Sequence, residues 1–164
     1  MTERTETKDV VVERVMDAPI DHVWKMWTEP EHFAAWYGPP GAAVEVITMD
    51  VRVGGRRLVA MSMTTPDGPH RMWLAGEHLE IEPKTRMVYS EAMSDADGTI
   101  LEGEASGMPD GKPLLTRIVV ELEDLGVRTK MVMTHVGVPE DSPGADGWGA
   151  AMDTFAAHLA TIEA

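Results

Sequence analysis

The sequence predicts an α+β fold in which a curved antiparallel sheet wraps around a long C-terminal helix, in the order β–α–α–β6–α. Three observations lead there. Apolar residues recur at helical spacing early in the chain, then switch to period two between Val44 and Val136. Turn signals divide that period-two region into short runs, as in a meander of consecutive antiparallel strands. Finally Trp148, Met152, Phe155, Leu159 and Ile162 form one continuous apolar stripe at helical spacing.

Taken in order, residues 1–9 are polar and charged and read as a disordered tail. Val10–Met16 is β-branched and apolar enough for a first strand. Asp17-Ala18-Pro19 breaks it, and Pro19 suits the start of a helix carrying Ile20, Val23, Trp24 and Trp27. Thr28-Glu29-Pro30-Glu31 fits a capping box for a second short helix with Phe33 and Trp36, which Gly38-Pro39-Pro40-Gly41 ends. Val44–Val51 and Arg56–Thr64 flank Gly54-Gly55, a hairpin signal because adjacent glycines accept positive φ. Strands follow at His70–Ile81, Thr85–Met93, Leu115–Glu123 and Val127–Val136, and residues 94–114 make a long Asp-, Gly- and Pro-rich loop. Ser142 and Pro143 suit the start of the last helix, and Asp141 and Asp146 complement its positive end. Residues 10–164 are expected to form a single domain.

Composition narrows the partners. With 28 Asp and Glu against 14 Lys and Arg, the net charge of −14 repels phosphate backbones and anionic lipid heads, so neither nucleic acid nor a membrane is an expected partner. The absence of cysteine removes disulfides, thiolate nucleophiles and cysteine-based zinc sites. No apolar run reaches the roughly 18 residues of a membrane span, and no apolar leader opens the chain, which points to the cytoplasm. His70 and His78 sit on one strand without a ligand-spaced third group, so no metal or other cofactor is expected. Neither a nucleophile elbow nor a P-loop is present.

A long meander coils because strands twist, and a helix with one apolar stripe hides it on the concave face. A straight helix fills a coiled groove imperfectly, and the two short helices can plug one end, leaving an apolar cavity. Strand parity supplies its expected lining. Met131 and Met133 face inward and carry His135 with them; Ile118, Val120 and Leu122 face inward on the strand before. Trp73, Leu79 and Ile81 share a face, as do Met87, Tyr89, Glu91 and Met93, whose direction parity leaves open. The expected ligand-binding residues are therefore Trp73, Tyr89, Ile118, Val120, Met131, Met133, His135, Trp148, Met152 and Phe155. The 13 methionines suit a lining that adapts to varied apolar ligands, or simply finish a core. His135 reads either as a ligand contact or general base, or as a satisfied structural histidine.

Several segments resemble a known family. Arg14, Asp17-Ala18-Pro19, Val23-Trp24, Trp27-Thr28-Glu29-Pro30-Glu31 and Trp36-Tyr37-Gly38-Pro39 look like its opening signature. Asp50-Val51-Arg52-Val53-Gly54-Gly55, Gly76 with Glu80-Ile81-Glu82-Pro83, Thr134-His135 and Gly147-Trp148 continue the likeness. Together they resemble homologues of the C-terminal domain of the activator of heat shock protein 90 ATPase. The resemblance implies the helix-grip fold of the START-like (SRPBCC, birch-pollen-allergen-like) superfamily, whose members include carriers, receptors and cyclases. The named co-chaperone has a further N-terminal domain that makes much of its chaperone contact, and this chain has no room for it. Chaperone contact therefore ranks below two other expectations: binding of a small hydrophobic molecule as a carrier or sensor, and a cyclase or dehydratase reaction in which His135 moves a proton with Tyr89 or Glu91. A homodimer is compatible with the sequence, and no catalytic residue is assigned.

Overall fold

The computed structural model of the protein describes residues 7–37, 42–101, 115–139 and 144–162. β1 (Thr7–Met16) starts at Thr7 and not at Val10, because Thr7 and Lys8 find ladder partners in Pro139 and Val138 of the last strand. α1 (Ile20–Thr28) follows Pro19 and buries Val23, Met26 and Trp27. α2 (Pro30–Trp36) buries Phe33 and Trp36. The expected capping box does not form. Pro30 takes the first helical position, so Glu29 becomes the N-cap and makes no side-chain cap bond. Thr28 ends α1 instead, and its hydroxyl donates back to the Trp24 carbonyl at 3.0 Å. The Gly38–Gly41 stop lies outside the described residues.

Six further strands run as β2 (Ala43–Met49), β3 (Arg56–Thr65), β4 (Gly68–Glu82), β5 (Arg86–Ser94), β6 (Thr116–Asp124) and β7 (Thr129–Pro139). Among the described residues they form, with β1, one curved antiparallel sheet ordered β1-β7-β6-β5-β4-β3-β2. Each of β2–β7 pairs with its neighbour in sequence, as a meander requires, and β1 closes the order beside β7. α3 (Gly144–Leu159) packs against α1, α2 and β1, and its Met152 and Phe155 join the core that the sheet's inner face builds. This is the helix-grip fold. Ile162, expected as the last residue of the helical stripe, lies past the helix end but still packs on the core. The expected cap at Ser142 and Pro143 falls outside the described residues.

Two connections differ from expectation. Gly54-Gly55 does not join β2 to β3 as a tight turn; the connection runs from Asp50 to Gly55 and docks on β4. Gly54 has φ +82°, and its N–H donates to the His78 carbonyl at 2.8 Å. His78 N–H donates to Gly55 O at 2.9 Å, and a Cβ on Gly55 would stand 2.0 Å from Asp50 O, so only glycine lets the turn close here. After β5, the Asp95 carboxylate accepts from the N–H groups of Asp97 and Thr99 at 2.9 and 3.0 Å, folding the chain back so that Ile100 bridges to Ser94. Residues 102–114 of the expected long loop lie outside the described residues.

The inner face follows the expected parity on β6 and β7, where Ile118, Val120, Met131 and Met133 have no exposed surface. Register resolves β5: Tyr89 stands opposite Ile118 and Met87 opposite Val120, so Met87, Tyr89 and Glu91 face inward. On β4 the expectation fails for Trp73. Met72 and Leu74 pack on the core, which places Trp73 on the outer face, where the Arg71 guanidinium lies 5.5 Å from its ring. A bulge between His78 and Glu80 shifts the alternation, so Ile81, opposite Met87, returns to the inner face. Trp73 and Ile81 thus share no face, because period two holds only up to the bulge.

Candidate functional site

An inward row crosses the sheet near the open end of the grip: Arg57 on β3, Gly76 on β4 and Glu91 on β5. Arg57 continues the parity of Val59 and Met61, and pairs with Gly76 across the β3–β4 ladder. Arg57 is 4% exposed and Glu91 9% exposed. Both ionisable groups are therefore built into the apolar interior.

Their partners come from α2 and its end, from β5 and from each other. Tyr37, just past the end of α2, donates its hydroxyl proton to Glu91 Oε2 at 2.6 Å. Its one proton is then committed, so the Tyr89 hydroxyl, 3.0 Å away, donates to the Tyr37 oxygen. A relay Tyr89 to Tyr37 to Glu91 results. Arg57 Nη1 lies 4.0 Å from Glu91 Oε2, and the guanidinium carbon sits 3.6 Å from the Tyr89 ring centre and 5.1 Å from that of Phe33. Among the described residues, Arg57 Nε and Nη2 are buried and meet no hydrogen-bond partner.

The titrations follow from this enclosure. Burial raises the Glu91 pKa, opposed by the Arg57 charge and the Tyr37 hydrogen bond. Burial also raises both tyrosines, with the Glu91 charge adding to the effect on Tyr37. His78, with no exposed surface, is pulled down to about 4 by burial and by the Arg57 charge, against a weaker upward pull from the Asp50 and Gly55 backbone.

His135 sits on the same inner face, half-buried, where Trp148 Nε1 donates to its Nδ1 at 3.0 Å. Nδ1 must then be the acceptor, leaving the proton on Nε2, which is buried and unpartnered. Burial lowers the His135 pKa to about 4, so the ring is neutral near pH 7. The Trp148 ring also meets Tyr37 edge-on at 5.8 Å, linking His135 to the Glu91 cluster through an aromatic contact.

Of the residues expected to bind ligand, Tyr89, Ile118, Val120, Met131, Met133, Met152 and Phe155 come together in one core cluster, all with 0% exposure. His135 and Trp148 meet at its half-buried margin. Trp73 alone lies on the other face. Sequence reasoning did not select Arg57, Tyr37 or His78 as site residues, and named Glu91 only as a proton partner for His135 on a face whose direction parity left open. Parity with Val59 and Met61 could have found Arg57 once the direction of its strand was known.

Among the described residues, two grooves open on the surface near these strands. One, of about 410 Å³, lies by Arg86, Glu121 and Lys130, whose charges pair with Glu80, with each other or with Glu13. The other, of about 380 Å³, lies over the outer face of β3–β5, lined by Arg56, Ala75, Glu77, Ser90 and Ala92, with Arg57, Gly76 and Glu91 between them on the same strands. Among the described residues no group of three or more His, Asp and Glu is placed to hold a metal ion.

Comparison with known proteins gives a consistent result. The family described as activator of Hsp90 ATPase homolog 1-like protein matches residues 17–160. Among solved structures, a protein from Chromobacterium violaceum is similar with a TM-score of 0.75 at 23% identity, over 94% of this chain and 98% of that one. One from Arthrobacter aurescens has a TM-score of 0.74 at 23% identity, over 98% and 91%. The AHSA1 protein from Silicibacter pomeroyi has a TM-score of 0.69 at 17% identity, over 93% and 98%. At these identities the structures share the fold. No curated protein matches the chain.

Proposed function

This chain belongs to the activator of Hsp90 ATPase homolog 1-like family, and from that premise we propose that it binds a small hydrophobic molecule inside the grip, as a carrier or a sensor. The supporting observation is the buried polar cluster itself. Arg57 is enclosed among apolar side chains with two donors unpaired. A core kept for stability alone is usually improved by replacing such a group with an apolar one, so its presence favours a binding role. The inner methionines Met131, Met133 and Met152 have no exposed surface, so a ligand that enters displaces them and does not fill a standing void. Their unbranched thioethers re-pack at low cost. With 28 acidic against 14 basic residues, the surface disfavours nucleic acid and anionic membranes as partners.

Thermal-shift measurements against a panel of apolar metabolites and lipids test the proposal. A true ligand at about 100 times its Kd should stabilise the fold by about 2.7 kcal/mol. A panel in which no compound moves the melting temperature contradicts it.

One observation favours a second reading, an enzyme of cyclase or dehydratase type. The Tyr89–Tyr37–Glu91 relay ends on a carboxyl whose pKa is raised, as a proton donor requires. His135 takes no part in that relay, since its Nδ1 is occupied by Trp148. Mass analysis of the same complexes separates the readings: an unchanged ligand supports binding, and loss of water supports catalysis. Stimulation of a chaperone ATPase rests on the family description and ranks third. Adding the chain to the chaperone's ATPase assay measures it.

A further inference from the structure

We propose that the ligand is an apolar carboxylic acid, held by its carboxylate on the free edge of Arg57. The inference rests on the binding role above and names the chemistry of what is bound.

Guanidinium geometry carries the argument. Arg57 Nη1 is the nitrogen turned toward Glu91, at 4.0 Å, while Nε and Nη2 meet no hydrogen-bond partner among the described residues. Those two nitrogens share one edge of the guanidinium and project parallel N–H bonds, spaced for the two oxygens of a planar carboxylate. The edge is also held in place: the group lies against the Tyr89 and Phe33 rings and is 4% exposed. An unpaired, buried, oriented donor pair is costly in a finished core, and becomes an advantage when an oxyanion fills it.

Space for the rest of the molecule is made on the inner face, where the core methionines re-pack as it enters. The β4–β5 ladder pairs Ala75 with Ala92 and His78 with Tyr89 but leaves Gly76 and Glu77 unpaired between them. The Ser90 hydroxyl fills in, accepting from Glu77 N–H at 3.0 Å. At Gly76 a Cβ would stand 1.9 Å from Ser90 O, so the row between Arg57 and Glu91 carries no side chain. The 380 Å³ groove over these strands is lined by Arg56, Ala75, Glu77, Ser90 and Ala92, which alternate with the inward row, so it lies on the outer face and the body of the ligand goes among the inner side chains.

Charge balance selects a carboxylate over a phosphate. Arg57 and Glu91 already offset each other, so each added negative charge needs compensation in the interior. A carboxylate brings one, and Glu91 can remove it by taking up a proton, a state that burial already favours. The groups facing Glu91 are Arg57, Tyr37 and Tyr89, with His78 beyond Arg57 held neutral near pH 7. A phosphate ester brings up to two charges, and the cluster offers one proton site to absorb them.

Matched probes on the full chain give the test: 2-naphthoate beside 2-naphthamide, and decanoate beside decan-1-ol, titrated by calorimetry. In the wild type at least one acid should bind about ten-fold tighter than its neutral partner. Arg57→Gln should remove that preference while leaving the neutral probe's affinity in place. Glu91→Gln, which leaves the fork without a competing anion, should keep or increase acid affinity. Equal binding of acids and neutral analogues by the wild type would overturn the carboxylate assignment and leave the binding role standing. Loss of acid binding in a folded Glu91→Gln would also overturn the assignment. Failure of all four probes together with the wider panel would remove both.

Discussion

Replacing Glu91 with leucine should lower folding stability by about 3–5 kcal/mol, a large share of what a domain of this size possesses. The substitution removes the carboxylate that lies 4.0 Å from Arg57 and strands a guanidinium that is 4% exposed. Arginine cannot escape by losing its proton, so the full desolvation penalty stays in the folded state. Tyr37 also loses the acceptor for its 2.6 Å hydrogen bond. The reverse change, Arg57→Met, should cost less, because an unpaired Glu91 can protonate and its pKa is already raised. Urea unfolding of the two variants measures the asymmetry. Equal losses, or a loss under about 1 kcal/mol for Glu91→Leu, would show that Arg57 is not an enclosed charge.

The second large effect is acid sensitivity. His78 and His135 are held neutral, each with a pKa near 4 in the fold against 6.5 for an ordinary histidine. Between those values the unfolded chain binds protons that the folded chain refuses, so stability rises with pH across that interval. Their contribution is therefore complete above about pH 6.5, declines as the pH falls toward 4, and changes little below. At about 1.4 kcal/mol per pH unit, fully buried His78 accounts for a loss of about 3 kcal/mol, and the partly exposed His135 for less. Glu91 works in the opposite sense. Its pKa is raised, so the stability it gains by keeping a proton is present at low pH and is lost as the pH climbs through its folded value. Urea unfolding at pH 7 and pH 4.5 should show the drop, and His78→Phe should flatten it. An unchanged slope in that variant would contradict the assignment.

The sequence carried the element order because the chain's local signals agree with its packing. Alternation along Ile118–Leu122 and Met131–Met133 survives into the sheet, and the apolar stripe from Met152 to Leu159 does face the core. Trp73 was misplaced because the bulge at His78–Glu80 interrupts period two on β4, and a bulge leaves little trace in composition. Thr28 matched a cap pattern, yet the choice between capping α2 and ending α1 is set by where Pro30 sits in the turn. The polar cluster was illegible for a different reason. Arg57 follows a glycine turn and resembles a solvated surface charge, and Glu91 lies on a strand whose inward face parity alone does not give. Only the register of three strands, with Tyr37 arriving from a separate helix, places them together.

The central claim, that an apolar molecule enters the grip and moves the side chains that close it, is tested most directly by methyl NMR of methionine-labelled protein titrated with a hydrophobic ligand. Binding inside the grip should shift and saturate the signals of Met131, Met133 and Met152, which have no exposed surface in the free protein. Saturable binding that leaves those three resonances in place, with changes confined to surface residues, would contradict it.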